Sequence, residues 1–279
     1  MHQRSLLGHS PLGFHKIAYT EWGQATANPP AVCAHGLTRN GRDFDRLAEA
    51  LSKERPVFCP DMAGRGQSDW LADPAFYGYP QYLADMTALI ARAGAAQVDW
   101  VGTSMGGLIG MILAADPNTP IRKLVLNDVG PFIPLAALQR IGSYVGLMPE
   151  FPDAAAAERY MRQIYAPFGI AEDADWRHIV GCGIRQLPNG KLTLAHDPAI
   201  AKNFLALTQD VDLWAVYDRI QCPVLLLRGM QSDVLSHEVA EEMTRRGPGA
   251  HLVEFSNIGH APALIDTTQI GLITNFLRN

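Results

Sequence analysis

No stretch of this 279-residue chain reaches the roughly 18–20 consecutive apolar residues that a membrane-spanning helix requires. A membrane is therefore not an expected partner. Basic runs are missing as well: 23 Lys and Arg face 28 Asp and Glu, for a formal net charge of −5. Nucleic acids are bound through clustered cations, so none is expected here. Residues Met1 to Gly8 lack the long apolar core of a signal peptide, and the expected location is cytoplasmic. Cysteine is sparse. None of Cys33, Cys59, Cys182 and Cys222 forms a C-x-x-C pair or has zinc-like spacing. They read as reduced, mostly buried small hydrophobes, and no metal site is expected.

Charged residues make up only 18% of the chain, against a usual ~25%. A small charged share fits a sheet covered on both faces, and a chain of this length buries roughly three quarters of its unfolded surface. The apolar pattern agrees. Short runs at 31–34, 56–59, 98–101, 123–127, 223–228 and 251–255 alternate with helical patterns at 43–54, 80–95, 105–115, 236–246 and 262–278. An earlier strand is expected at 14–21. This alternation predicts an α/β fold with a mostly parallel sheet and helices on both faces.

Between Pro131 and Arg219 the rhythm breaks into helical pieces near 135–146, 153–166 and 172–180, with no clear strand series. Large side chains gather here: Phe132, Tyr144, Met148, Phe151, Tyr165, Phe168, Trp176, Phe204 and Trp214. An ordinary helix–strand loop has about 2–6 residues. The insertion reads as a helical cap over residues 132–219, on a core formed by 1–131 and 220–279. In open parallel sheets ligands bind outside the carboxyl ends of the strands, where both flanks of the insertion leave. Phe132, Met148, Trp176 and Trp214 are the expected substrate-binding residues of this cap.

The sharpest chemical signal is Gly102-Thr103-Ser104-Met105-Gly106-Gly107, between a strand and a helix. G-x-S-x-G alone is common by chance; the abrupt strand-to-helix turn makes it informative. Such a turn leaves the serine oxygen exposed at a strained backbone angle and aims helix N-terminal N–H groups at any oxyanion formed there. A phosphate-binding turn would use the same N–H groups, but no P-loop Lys follows and no G-x-G-x-x-G opens the first strand.

A serine needs a base to become a nucleophile at neutral pH. His260, in Asn257-Ile258-Gly259-His260, follows the last strand and so lies on the sheet edge that carries Ser104. Two carboxylates could orient the histidine. Asp233 follows strand 223–228, and Asp128 follows strand 123–127. Asp233 comes from the strand next to that of the histidine and is the expected acid, with Asp128 shaping the pocket. The expected oxyanion donors are the N–H of Met105 and, from the loop after strand 31–34, that of Leu37. His35 is then expected to brace that loop.

The His35-Gly36 loop, Asp61-Met62-Ala63-Gly64-Arg65-Gly66-Gln67-Ser68, the turn around Ser104, Asp233 and Gly259-His260 stand in an order that resembles the α/β-hydrolase superfamily. The resemblance spans nearly the whole chain. It implies an eight-stranded, mostly parallel sheet and a cofactor-free enzyme, with a structural turn and no catalytic role at Asp61, Arg65 and Ser68. Within the superfamily the chain is similar to capped, serine-dependent bacterial esterases. The resulting expectation is hydrolysis of a small or medium carboxylic ester through an acyl-enzyme. Lactone or C–C bond hydrolysis on the same residues is the alternative, and a receptor that only captures a small molecule is a third. The expected partner is a small-molecule ester; a homodimer is left open.

Overall fold

A computed structural model describes residues 1–278. The chain begins with strands β1 (His2–Ser10), β2 (Gly13–Trp22) and β3 (Ala31–Ala34), then α1 (Asp45–Leu51), β4 (Val57–Pro60), α2 (Tyr79–Ala93), β5 (Val98–Thr103), α3 (Met105–Ala115) and β6 (Ile121–Asn127). The insertion follows: β7 (Phe132–Ile133), α4 (Leu135–Val145), α5 (Ala154–Ile164), α6 (Asp173–Gly183), β8 (Ile184–Gln186), β9 (Leu192–Leu194), α7 (Ala201–Phe204), β10 (Val211–Asp212) and α8 (Trp214–Tyr217). The chain then returns through β11 (Val224–Gly229), α9 (His237–Met243), β12 (His251–Phe255) and α10 (Thr267–Arg278).

The main sheet has eight strands in the order β1-β2-β4-β3-β5-β6-β11-β12. From β4 onward every pairing is parallel, while β1 and β2 attach antiparallel. The central strands are hydrocarbon on both faces because both are covered. Leu124, Leu126 and Leu226 enter the apolar layer that includes α3, whereas Val125, Leu225 and Leu227 face the layer holding Leu47 of α1 and Leu277 of α10. This is the two-residue period of a strand, read with both sides buried. Each such Val or Leu contributes roughly 1.5–3 kcal/mol by leaving water.

Strand β1 is absent from the elements expected from sequence. Its residues are mostly exposed, and it is held by its ladder to β2, so no apolar run announces it. The insertion also contains small sheets, β8 with β9 and β7 with β10, whose strands of two or three residues are too short to stand out in the sequence. Its three main helices lie where helical pieces are expected. The insertion has an apolar cluster of its own, built from Phe151, Met161, Tyr165, Trp176 and Ile179. It is joined to the sheet domain by polar contacts, among them Thr38 Oγ1 to Tyr165 OH at 3.2 Å and Asn40 Nδ2 to the Cys182 carbonyl at 2.8 Å. Among the described residues no helix is long and apolar enough to cross a membrane.

Candidate active site

Ser104 stands between the end of β5 and the first residue of α3 with φ 51° and ψ −117°. A non-glycine residue there costs on the order of 1–3 kcal/mol and is held only by its surroundings. They are restrictive. A Cβ on Gly106 would lie 2.0 Å from the Ala34 carbonyl oxygen, so only glycine lets α3 approach β3 this closely. The Ser104 N–H donates to the Asn127 carbonyl at 3.0 Å, tying the turn to the end of β6.

His260 reaches the same edge from the loop after β12. Its Nε2 lies 2.9 Å from Ser104 Oγ, and its Nδ1 lies 2.7 Å from Asp128 Oδ2. Asp128 is fully buried at the end of β6. Its Oδ1 accepts the Gly229 N–H at 2.8 Å, and Ser232 Oγ donates to Oδ2 at 2.5 Å. Asn127 Nδ2 donates to the Pro262 carbonyl at 2.8 Å and so anchors the histidine loop from below. Serine, imidazole and carboxylate thus form one hydrogen-bonded chain, in which the imidazole can exchange a proton with the serine while the carboxylate fixes its tautomer.

The acid in this chain differs from the expected one. Asp233 does not touch His260; it stands in an exposed turn after β11, and its carboxylate pairs with the Arg140 guanidinium of α4, Nη2 to Oδ1 at 2.9 Å. The reason is placement. Asp128 directly follows the last residue of β6 and meets His260 Nδ1 there, whereas Asp233 lies four residues past the end of β11, with its carboxylate on Arg140.

The Leu37 and Met105 N–H groups donate to no acceptor among the described residues. Met105 opens α3, where the first N–H groups have no intrahelical partner. Arg65 braces both residues. It is fully buried, and its Nε donates to the Leu37 carbonyl at 2.8 Å. Its Nη1 donates to the Ala63 carbonyl and the Tyr82 hydroxyl at 2.7 Å, and its Nη2 lies 3.8 Å from Met105 Sδ. No carboxylate pairs with it among the described residues. The sequence offered no sign of this contact, since Arg65 is distant in the chain from both residues it supports. His35 ties the loop to β4's end: Nε2 accepts the Met62 N–H at 2.9 Å, so Nδ1 carries the proton and donates to the Gly36 carbonyl at 2.7 Å. Burial, chiefly, drives its pKa down to about 3, so the ring is neutral.

Two hollows meet at Ser104. The first is a narrow cleft of about 60 Å³ that includes His260, Thr38, Tyr144, Tyr165 and Phe168. The second is a chamber of about 360 Å³ that includes Met105, Leu108, Ile133, Leu138 and Phe204. Leu37 and Ile141 border both. Phe132, Met148, Trp176 and Trp214, expected to bind substrate, line neither. Trp176 is 4% exposed within the insertion's own apolar cluster, with its indole N–H on the Ile170 carbonyl at 3.2 Å. Trp214 packs edge-on against Tyr217 under the Arg246 guanidinium, Phe132 sits in the β7–β10 ladder, and Met148 lies past the end of α4. No group of three His, Cys, Asp or Glu side chains among the described residues could hold a metal ion.

Comparison with known proteins places these residues in context. A family model described as "alpha/beta hydrolase fold" matches residues 29–267. A 3-hydroxybutyrate-oligomer hydrolase of Cupriavidus necator is 45% identical over 277 residues, which cover 96% of this chain and 94% of that protein. Among solved structures, a protein of Rickettsia typhi superposes with a TM-score of 0.93 at 34% identity, covering 100% of this chain and 99% of that one. An alpha/beta hydrolase from Novosphingobium aromaticivorans superposes with a TM-score of 0.89 at 35% identity, covering 99% and 98%.

Proposed function

The chain belongs to the α/β-hydrolase family, and on that premise we propose that it is a serine esterase for small carboxylic esters, with oligomeric esters of short hydroxy acids the favoured substrates. The observation that carries this reading is the continuous chain of hydrogen bonds from Ser104 Oγ through His260 to Asp128, at 2.9 and 2.7 Å. The similarity to a 3-hydroxybutyrate-oligomer hydrolase supports the substrate class.

In this mechanism Ser104 Oγ attacks the ester carbonyl carbon while its proton passes to His260 Nε2. Asp128 stabilises the imidazolium through the Nδ1 hydrogen bond. The carbonyl oxygen, now an oxyanion, takes the two free N–H groups of Leu37 and Met105, each worth about 3–4 kcal/mol in the transition state. When the C–O bond breaks, His260 returns its proton to the departing alkoxide and an acyl-Ser104 remains. Water then gives its proton to His260 as it attacks that acyl carbon. Collapse releases the acid and restores the serine hydroxyl. Residues 132–219 act as a cap that screens this chemistry from bulk water, on a core made of the remaining chain.

The test is the initial rate of p-nitrophenyl butyrate hydrolysis by the wild type and Ser104→Ala. The expected result is turnover by the wild type and a loss of at least about 10³-fold in the mutant. Equal rates would remove Ser104 from the mechanism.

A further inference from the structure

The two hollows are chemically unequal, and that inequality gives an ester a direction. The alcohol oxygen of the ester must lie within reach of His260 Nε2, which protonates it on departure. The cleft that contains His260 therefore takes the alcohol side, and the chamber that contains Met105 but not His260 takes the acyl side. That chamber has no charged side chain in its lining, so a carboxylate would enter it without a partner.

Its polar groups are few, and Tyr79 carries the one hydroxyl among its tyrosines with no hydrogen bond of either kind among the described residues. The Tyr77 hydroxyl donates to Asp197 at 2.7 Å and accepts the Leu71 N–H at 2.8 Å. The Tyr82 hydroxyl accepts from Arg65, and its own O–H meets no acceptor among the described residues. The two N–H groups of Asn203 Nδ2 are shared among the Pro74, Ala75 and Tyr77 carbonyls, leaving its Oδ1. The Tyr79 hydroxyl has no hydrogen-bond partner among the described residues. Burial pushes the Tyr79 phenol up from its ordinary value, so it stays protonated and able both to donate and to accept.

We propose that the 360 Å³ chamber is the acyl site and that the Tyr79 hydroxyl binds a neutral hydroxyl carried by the acyl chain. The esters selected are then hydroxyacyl esters, held with the free hydroxyl end inside and any terminal carboxylate on the alcohol side. An oligomer would be shortened from its hydroxyl end. This rests on the ester-hydrolase reading above.

The experiment compares kcat/KM for methyl 3-hydroxybutyrate and methyl butyrate in the wild type and Tyr79→Phe. Loss of one hydrogen bond predicts that the hydroxy-to-plain ratio falls roughly three- to tenfold in the variant. An unchanged or increased ratio, with methyl butyrate still hydrolysed by the wild type, overturns this inference alone. If the wild type hydrolyses neither ester, the esterase reading falls with it. Should Tyr79→Phe not fold, the wild type is tested with methyl 3-methoxybutyrate, whose ether cannot donate. Slower cleavage of this ester than of the hydroxy ester is expected, and equal rates overturn the proposal.

Discussion

The carboxylate of Asp128 accepts the backbone N–H of Gly229 at 2.8 Å, across the junction of β6 and β11. This contact explains how an acid on one strand is served by the loop of the next. Gly229 ends β11, and a Cβ there would lie 2.3 Å from the Gly259 carbonyl oxygen, so β11's end, the histidine loop and the acid pack without room for a side chain. Ser232 of the same loop donates to the other carboxylate oxygen. The β11 loop thus supplies donors for the acid rather than the acid itself.

The roles of the two aspartates can be separated directly. Asp128→Asn keeps the shape but favours the wrong imidazole tautomer and removes the charge that stabilises imidazolium, so kcat should fall by about 10⁴. Asp233→Asn removes only an ion pair whose partners are each more than two fifths exposed, worth little by itself, and kcat should change less than about threefold. Steady-state kinetics on p-nitrophenyl butyrate decides. A deeper loss in Asp233→Asn than in Asp128→Asn would reverse the assignment.

Much of this architecture was readable from residue pattern, for identifiable reasons. Strands such as β11, whose Val224-Leu225-Leu226-Leu227 run is buried on both faces, carry continuous hydrocarbon and announce themselves. The turn at Ser104 is framed by glycines that close packing requires. The choice between Asp128 and Asp233 was not readable, because it depends on where a loop turns after its strand. The walls of the acyl chamber were hidden for a related reason. Trp176 and Leu138 both look like apolar residues of the insertion, and only tertiary packing turns one into its separate cluster and the other toward the chamber at Ser104. Phe204 and Tyr144, large residues of the same stretch, do border the hollows.

Acid stability should be set in part by buried neutral histidines. Burial lowers His35 to about 3 and, with the Arg65 cation adding to it, His196 to about 4. In the unfolded chain each takes a proton below about pH 6.5. The unfolded state therefore binds more protons between pH 6.5 and 4, and each histidine makes the fold less stable as pH falls through that window. Asp61 acts in the opposite sense, since burial raises it to about 6 and the folded state holds its proton first. Replacing His196 with Gln isolates one contribution. Urea unfolding between pH 4.5 and 6 should show a pH slope about 1 kcal/mol per unit smaller in His196→Gln than in the wild type. Parallel curves would mean that His196 titrates alike in both states.

Arg65 should matter to turnover although it is far too buried to meet substrate. Its guanidinium holds the Leu37 carbonyl and rests against Met105, the two residues whose N–H groups point to the proposed oxyanion. A buried cation without a carboxylate partner is costly, and the fold accepts it where negative charge develops during the reaction. Arg65→Met removes both the brace and the charge, and also leaves the Ala63 carbonyl without its donor. A shift of about 1 Å in such a site can cost on the order of 100-fold, so kcat should drop by about that factor while KM moves much less. Arg65→Lys keeps the charge but cannot span three acceptors with a planar fork, and should recover only part of the loss. Circular dichroism and thermal melting would first establish that both variants are folded. With folded protein in hand, a kcat within twofold of wild type in Arg65→Met would show that the loop holds its N–H groups in place without the guanidinium, and Arg65 would then be a packing residue only.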